Sequence, residues 1–284
     1  MKTGILKNKL VAFVAMIAFG LGLASCNTAD EPTSPDVAID DVTNEAALES
    51  AYDDIDGLST SVVDELSLTS GRTAGDERMR CATVTRDTVA RQIIIDFGAG
   101  CEGPGGRVRQ GIIRVAYTGF RFLPGAVVTT TLEGFAIDGV AVEGTRTLTN
   151  ITNSIAEPPS FNITIVGGKA TWPDGTFATR EVNRIKTWFR AANPIDDQWQ
   201  VEGSTNGMNR NGIPYGTLIT SPLVFKRGCA GNRVFVPVQG IKEITRGDNT
   251  FVVDFGNGSC DNQATVTKPD GTIETVNLRP NSNS

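Results

Sequence analysis

The fold this sequence predicts is mainly β: an antiparallel β sandwich, or one strongly curved and partly closed sheet, with a short helical segment ahead of it. Three observations carry that expectation. From about residue 90 to residue 278, apolar and polar residues alternate strand after strand, with turn residues between the strands. Trp172-Pro173-Asp174-Gly175-Thr176 and Lys268-Pro269-Asp270-Gly271-Thr272 spell the same hairpin turn twice. No helical crossover pattern separates the strands, which disfavours α/β folds. A chain of 284 residues, 20% charged and with 31 glycines, is long enough to bury a real core in such a body.

The first element, residues 1–25, reads as a signal peptide. Lys2, Lys7 and Lys9 precede an apolar run from Leu10 to Leu23, too short for a comfortable membrane span. Leu23-Ala24-Ser25-Cys26 resembles the lipobox of bacterial lipoproteins. The resemblance implies cleavage before Cys26 and lipidation of its sulfur and new amino terminus, so acyl chains such as palmitate would anchor the chain without a transmembrane helix. An ordinary secretory signal with a chance cysteine is the alternative, and both readings leave the cytoplasm. Asn27 is not the aspartate that retains lipoproteins at the inner membrane in enteric bacteria. Asp30 and Glu31 loosely resemble the surface-export signal of lipoproteins from Bacteroidota-type bacteria. The expected address is the outer membrane, lipid-anchored and facing the cell surface.

Charge then divides the mature chain. Of its 32 acids, twelve lie between Asn27 and Gly71 with no Lys or Arg among them; without these and the three signal lysines, 20 acids face 23 bases from Arg72 onward. Residues 26–40, with Pro32 and Pro35, read as a flexible acidic tether. Residues 41–70 read as an acidic helical segment capped by Asn44, with apolar positions Leu48, Tyr52, Ile55, Val62 and Leu66 stepping mostly by three or four. Gly57 and the Ser59-Thr60-Ser61 run weaken its middle, so two short helices are an equal alternative. The segment is expected to pack on the basic body or space it from the membrane; a partner-binding helix is the rival reading.

Residues 72–284 form the β body. In Val140 to Leu148 one face carries Val140, Val142 and Leu148, the other Glu143, Thr145 and Thr147; Arg146 falls on the apolar face and suggests an edge. Ile94-Ile95-Asp96-Phe97-Gly98-Ala99-Gly100-Cys101 is echoed by Val252-Val253-Asp254-Phe255-Gly256-Asn257-Gly258-Ser259-Cys260, and Val142-Glu143-Gly144-Thr145 by Val201-Glu202-Gly203-Ser204. An internal duplication is one explanation and shared hairpin grammar the other. With Cys26 set aside, Cys81, Cys101, Cys229 and Cys260 allow three disulfide pairings in an oxidising compartment, and the echo favours Cys81–Cys101 with Cys229–Cys260. A zinc site of four cysteines is the weaker rival, since no C-x-x-C pair exists.

The order of Asp-Phe-Gly-x-Gly-Cys, Glu143-Gly144-Thr145-Arg146-Thr147-Leu148-Thr149-Asn150 and Ser221-Pro222-Leu223-Val224-Phe225-Lys226-Arg227-Gly228-Cys229 resembles uncharacterised cell-envelope lipoproteins of Bacteroidota-type bacteria. The resemblance implies a β-rich envelope protein and carries over no catalytic residue.

Catalytic motifs fail when weighed. No histidine is present, which removes His-dependent triads, His metal ligands and imidazole bases. Gly98 to Gly103 spells G-x-G-x-x-G, but Pro104-Gly105-Gly106 leads into a strand instead of the helix a dinucleotide site needs. Asp54, Asp56 and Gly57 echo a calcium loop that Tyr52 and Val63 break at both ends. No catalytic residue, metal ligand or cofactor is therefore expected, and a pI near 4.9 argues against a nucleic-acid partner. Trp172, Trp188, Trp199 and Tyr215 could form a ligand platform, against the commoner reading of packing. Asp87-Thr88-Val89 fits an O-glycosylation acceptor pattern at Thr88. The function expected is non-enzymatic: binding of an envelope protein or glycan, or a structural role. The alternative is a glycan-binding or glycan-hydrolysing lipoprotein using two carboxylates, with Glu133, Glu143 and Glu202 as strand candidates.

Overall fold

The computed structural model of the protein describes residues 35–66, 76–232 and 234–278, with the side chains of the first helix from Leu48 onward. Cys26 and the signal segment lie outside the described residues. In chain order the elements are α1 (Pro35–Glu65), then β1 (Thr83–Asp87), β2 (Gln92–Asp96), β3 (Cys101–Glu102), β4 (Val108–Tyr117), β5 (Val127–Ile137), β6 (Val140–Asn150) and β7 (Ser160–Thr171). They continue with β8 (Phe177–Phe189), β9 (Gln198–Met208), β10 (Pro214–Lys226), β11 (Gln239–Arg246), β12 (Asn249–Asn257), β13 (Gln263–Thr267) and β14 (Ile273–Asn277). All the strands join one antiparallel sheet in sequence order, except that short β3 pairs with β4 off the main path. Of the two β architectures expected, the molecule takes the single sheet, which is not closed.

The hairpins form where turn chemistry places them. In both Pro-Asp-Gly turns the glycine N–H donates back to the carbonyl of the first residue (Gly175 to Trp172 and Gly271 to Lys268, each 2.9 Å). An aspartate Oδ1 then accepts from the threonine N–H, at 3.0 Å in one turn and 2.8 Å in the other. The longer echo is likewise a shared turn: Asp96 Oδ1 accepts from Gly98 N–H and Asp254 Oδ1 from Gly256 N–H, both at 2.8 Å. The shorter echo marks irregular pairing. Gly144 and Gly203 hold φ of 123° and 118°, and a Cβ on Gly203 would sit 2.3 Å from the carbonyl oxygen of Asn183. Only glycine fits such a crossing, and the register shifts opposite these glycines bend the sheet.

Helix α1 spans 31 residues without a break. It begins inside the stretch read as tether and continues through Gly57 and the hydroxyl run, where Ser59 Oγ and Thr60 Oγ1 each donate to the carbonyl four residues earlier at 2.8 Å. Gly57 leaves room for Arg78, whose Nη1 would lie 2.7 Å from a Cβ there. Ile55, Leu58, Val62 and Val63 are at most 1% exposed and pack on Ile93, Ile95, Ile113, Val115 and Val128 of the sheet. At about 1.5–3 kcal/mol per buried aliphatic side chain, α1 is part of the core and not an appendage. A second apolar cluster, centred on Leu223, Val253 and Val266, belongs to β9–β14. On β6 the outward positions Glu143 and Thr145 stay polar. Among the described residues no helix is long and apolar enough to cross a membrane.

Cys81 is bonded to Cys101 and Cys229 to Cys260, with Cα–Cα separations of 5.6 and 5.2 Å. The local pairing favoured by the echo is the one present, and it commits all four sulfurs.

Candidate functional site

The site is a cleft between α1 and the inward faces of β6–β10, bordered on one side by Arg227, Ala230, Val234, Phe235 and Val236. Its charges come from an alternation that hides basic residues on an apolar parity. Along β8 the buried positions are Ala178, Arg180, Val182 and Arg184, with Lys186 next on the same face, while Glu181, Asn183 and Ile185 face out. Arg146 belongs to the same set. It lies in a central strand, 3% exposed, and not at an edge. What makes it tolerable is a carboxylate from another element: it forms an ion pair with Asp56 of α1.

The helix meets these cations along its acidic face. Glu49 pairs with Arg184, and Lys242 of β11 lies 3.9 Å away. Asp54 accepts from Arg109 Nε at 2.8 Å and Nη2 at 2.9 Å, with Arg78 Nη1 at 3.2 Å. Asp64 accepts from Arg121 Nη2 at 2.7 Å. The acidic segment thus packs on the basic body through specific pairs.

Two carboxylates of the cleft are driven in opposite directions. Burial alone would raise the Glu49 pKa, but Arg184, Lys242 and Arg180 outweigh it and hold the group at about 2. Asp53, one turn later, is pushed up to about 6 by desolvation, with Lys186 opposing and the charges of Glu49 and Asp56 adding to the rise. Its side chain is nonetheless exposed where it faces the open cleft. Tyr52 is pushed up to about 12 by burial, and its hydroxyl donates to the Glu143 carbonyl at 2.9 Å.

The cleft volume is about 380 Å³, and a neighbouring lobe of about 360 Å³ shares Asp53, Asp56, Ile163, Lys186, Trp199 and Arg227 with it. The aromatic platform assembles only by half. Trp188 and Trp199 are cross-strand partners with centroids 6.0 Å apart and planes 14° from parallel, and both line the second lobe. Trp188 Nε1 donates to Asp197 at 3.2 Å. Trp172 and Tyr215 sit at the opposite end of the strands: Arg210 stacks over the Trp172 ring at 4.3 Å, and Tyr215 Oη donates to the Thr179 carbonyl at 3.5 Å. Glu133, Glu143 and Glu202 face outward on separate strands, the first beside Arg114 and the second beside Lys169, so they do not converge. Thr88 is exposed on the β1–β2 turn, where Asp87 Oδ1 accepts from the Val89 and Ala90 amides.

Sequence reading missed Glu49, Asp53, Asp56, Arg184 and Lys186 as site residues, and noted Arg146 only as an exception suited to an edge. Two signals were available: acids stepping by four and three along one helix face, and basic residues Arg180, Arg184 and Lys186 at even spacings on one face of a strand. Among the described residues no group of His, Cys, Asp and Glu is arranged to hold a metal ion. No family model, curated protein or solved structure matches the chain.

Proposed function

We propose that the protein is an outer-membrane, surface-facing lipoprotein of the Bacteroidota type that acts by binding, without catalysis. The observation carrying this reading is the cleft. It has ligand-sized volume and mixed apolar and charged walls, while the carboxylates that could serve as a reacting pair, Glu49 and Asp56, are committed to ion pairs. A two-carboxylate hydrolase needs one ionised and one protonated acid flanking the scissile bond, and Asp53 has no uncommitted partner in the cleft. The lipobox cysteine Cys26 supports the anchor, and an even set of disulfides fits an oxidising compartment.

A second reading is favoured by the stacked Trp188–Trp199 pair, a surface on which a sugar ring could lie: glycan binding in the second lobe. Two experiments test these statements. Replacing Cys26 by Ser should move the protein from the membrane to the soluble fraction; unchanged fractionation overturns the anchor. Calorimetric titration with a maltooligosaccharide and mixed-linkage glycan panel, beside the same panel assayed for released reducing ends, tests the rest. Turnover lost in Asp53→Asn would replace binding by hydrolysis.

A further inference from the structure

The walls of the cleft are chemically unequal. One side is cationic: Arg146, Arg180, Arg184 and Lys186 project from β6 and β8, with Lys226 and Arg227 further along, against three carboxylates from α1. The other side is apolar, formed by Val201, Phe225, Val234 and Val236, and it ends at Phe235, a residue 71% exposed. Two of the cations are incompletely matched. Arg146 is buried and its Nη1 has no hydrogen-bond partner. Lys186 keeps about a third of its side chain open, and its ammonium lies 4.0 Å from Asp56, at the limit of an ion pair. With Arg184 held by Glu49 and Arg227 by Asp197, Arg146 and Lys186, which both meet Asp56, leave a positive site beside a greasy one.

We propose that the cleft binds a single-chain anionic amphiphile, its carboxylate or phosphate head beside Lys186 and Arg146 and its chain along Val201, Phe225 and Val236 toward Phe235. This deepens the binding reading and rests on it. An anionic head supplies the counter-charge that α1 leaves missing, and the chain covers apolar surface that water would otherwise wet. A neutral sugar would do neither.

The test is calorimetric titration of the chain from residue 27 onward, which keeps the whole compact unit 35–284, with dodecanoate, dodecyl phosphate, dodecylammonium and dodecyl maltoside below their micelle concentrations. Dodecanoate or dodecyl phosphate should bind at least tenfold more tightly than dodecylammonium, and whichever is tighter separates a free fatty acid from a phosphate-headed lipid. Lys186→Gln should weaken the anion about tenfold, and Asp53→Asn, which removes a repelling carboxylate, should tighten it. Val201→Trp, which fills the chain side without touching charge, should abolish binding, with the melting temperature of each variant confirming that it folds. Preference for dodecyl maltoside, or indifference to both charge changes, overturns the inference. If the amphiphiles fail while a glycan from the panel binds, the inference falls and the binding reading stands; silence from both sets overturns both.

Discussion

Replacing Asp54 by Ala is the sharpest test of the way α1 is held. The Asp54 carboxylate grips Arg109 through two hydrogen bonds of 2.8 and 2.9 Å and also meets Arg78 at 3.2 Å. Arg109 is 1% exposed, so without Asp54 a guanidinium is left charged in the interior with no counter-ion. Breaking one side of such a pair costs about 3–5 kcal/mol. Against a total stability of roughly 5–15 kcal/mol that is a large fraction. In a body of this size it lowers the melting temperature by about 6–20 °C, taking about 2–4 °C per kcal/mol. The assay is urea unfolding of the chain from residue 27, followed by circular dichroism, beside Glu133→Ala. Glu133 pairs with Arg114 on the outer face, with the two side chains 61% and 46% exposed, and its loss should cost under about 1 kcal/mol. The double variant Asp54→Leu with Arg109→Met should recover most of the Asp54→Ala loss, since apolar groups of similar volume commonly replace a buried pair at no net cost. Equal, sub-kilocalorie losses for Asp54→Ala and Glu133→Ala would refute the reasoning.

Other outcomes follow from the same contacts. Asp53→Asn should stabilise the protein at neutral pH. Its carboxyl is raised from 3.8 to about 6 amid Glu49, Asp56, Lys186 and Arg184, so the native state holds that proton more tightly than the unfolded chain. The parent therefore loses stability as pH rises from about 4 to about 6, and the advantage of Asn should be full above pH 6 and gone below pH 4; melting curves across pH 3.5 to 7.5 check it. A chain starting at Arg72 should fail to unfold cooperatively, because it lacks Ile55, Leu58, Val62 and Val63; a sharp transition by circular dichroism would contradict this. Peptide mapping without reduction should return Cys81–Cys101 and Cys229–Cys260 and no Cys81–Cys260 link. Opening the second should cost about 3–4 kcal/mol in the chain-entropy account, for a separation of 31 residues.

How much of the fold was legible depended on what each strand faces. Strand β4, and β6 apart from Arg146, were readable because their inward residues, Ile113, Val115, Val142 and Leu148, pack on apolar neighbours and so show alternation. The two Pro-Asp-Gly turns and the two Gly-rich turns ending in cysteine act within a few residues, and local chemistry is visible in local sequence. Strand β8 was harder to read because its buried face carries Arg180 and Arg184. Alternation fails as a signal when the residue that balances an inward charge is elsewhere in the chain. Between Glu49 and Arg184 the separation is 135 residues.

The same distance hid the site. An acidic helix read alone looks solvated, and a basic residue on an apolar strand face looks like an edge exception; only together do they define a buried interface. The charge imbalance between residues 27–71 and the rest was the trace of it that the sequence reading used, and it pointed to contact without giving partners. Periodicity gives them after the fact. Glu49, Asp53 and Asp56 step by four and three, which places them on one side of α1, beside the apolar line of Leu48, Tyr52 and Ile55 that seats the helix. That adjacency explains why the cleft exists at all. The apolar line drives α1 into the sheet, the acidic line stops it against Arg146 and Arg184, and the space between the helix and β9–β10 is left as the cleft, with Lys186 on its cationic side.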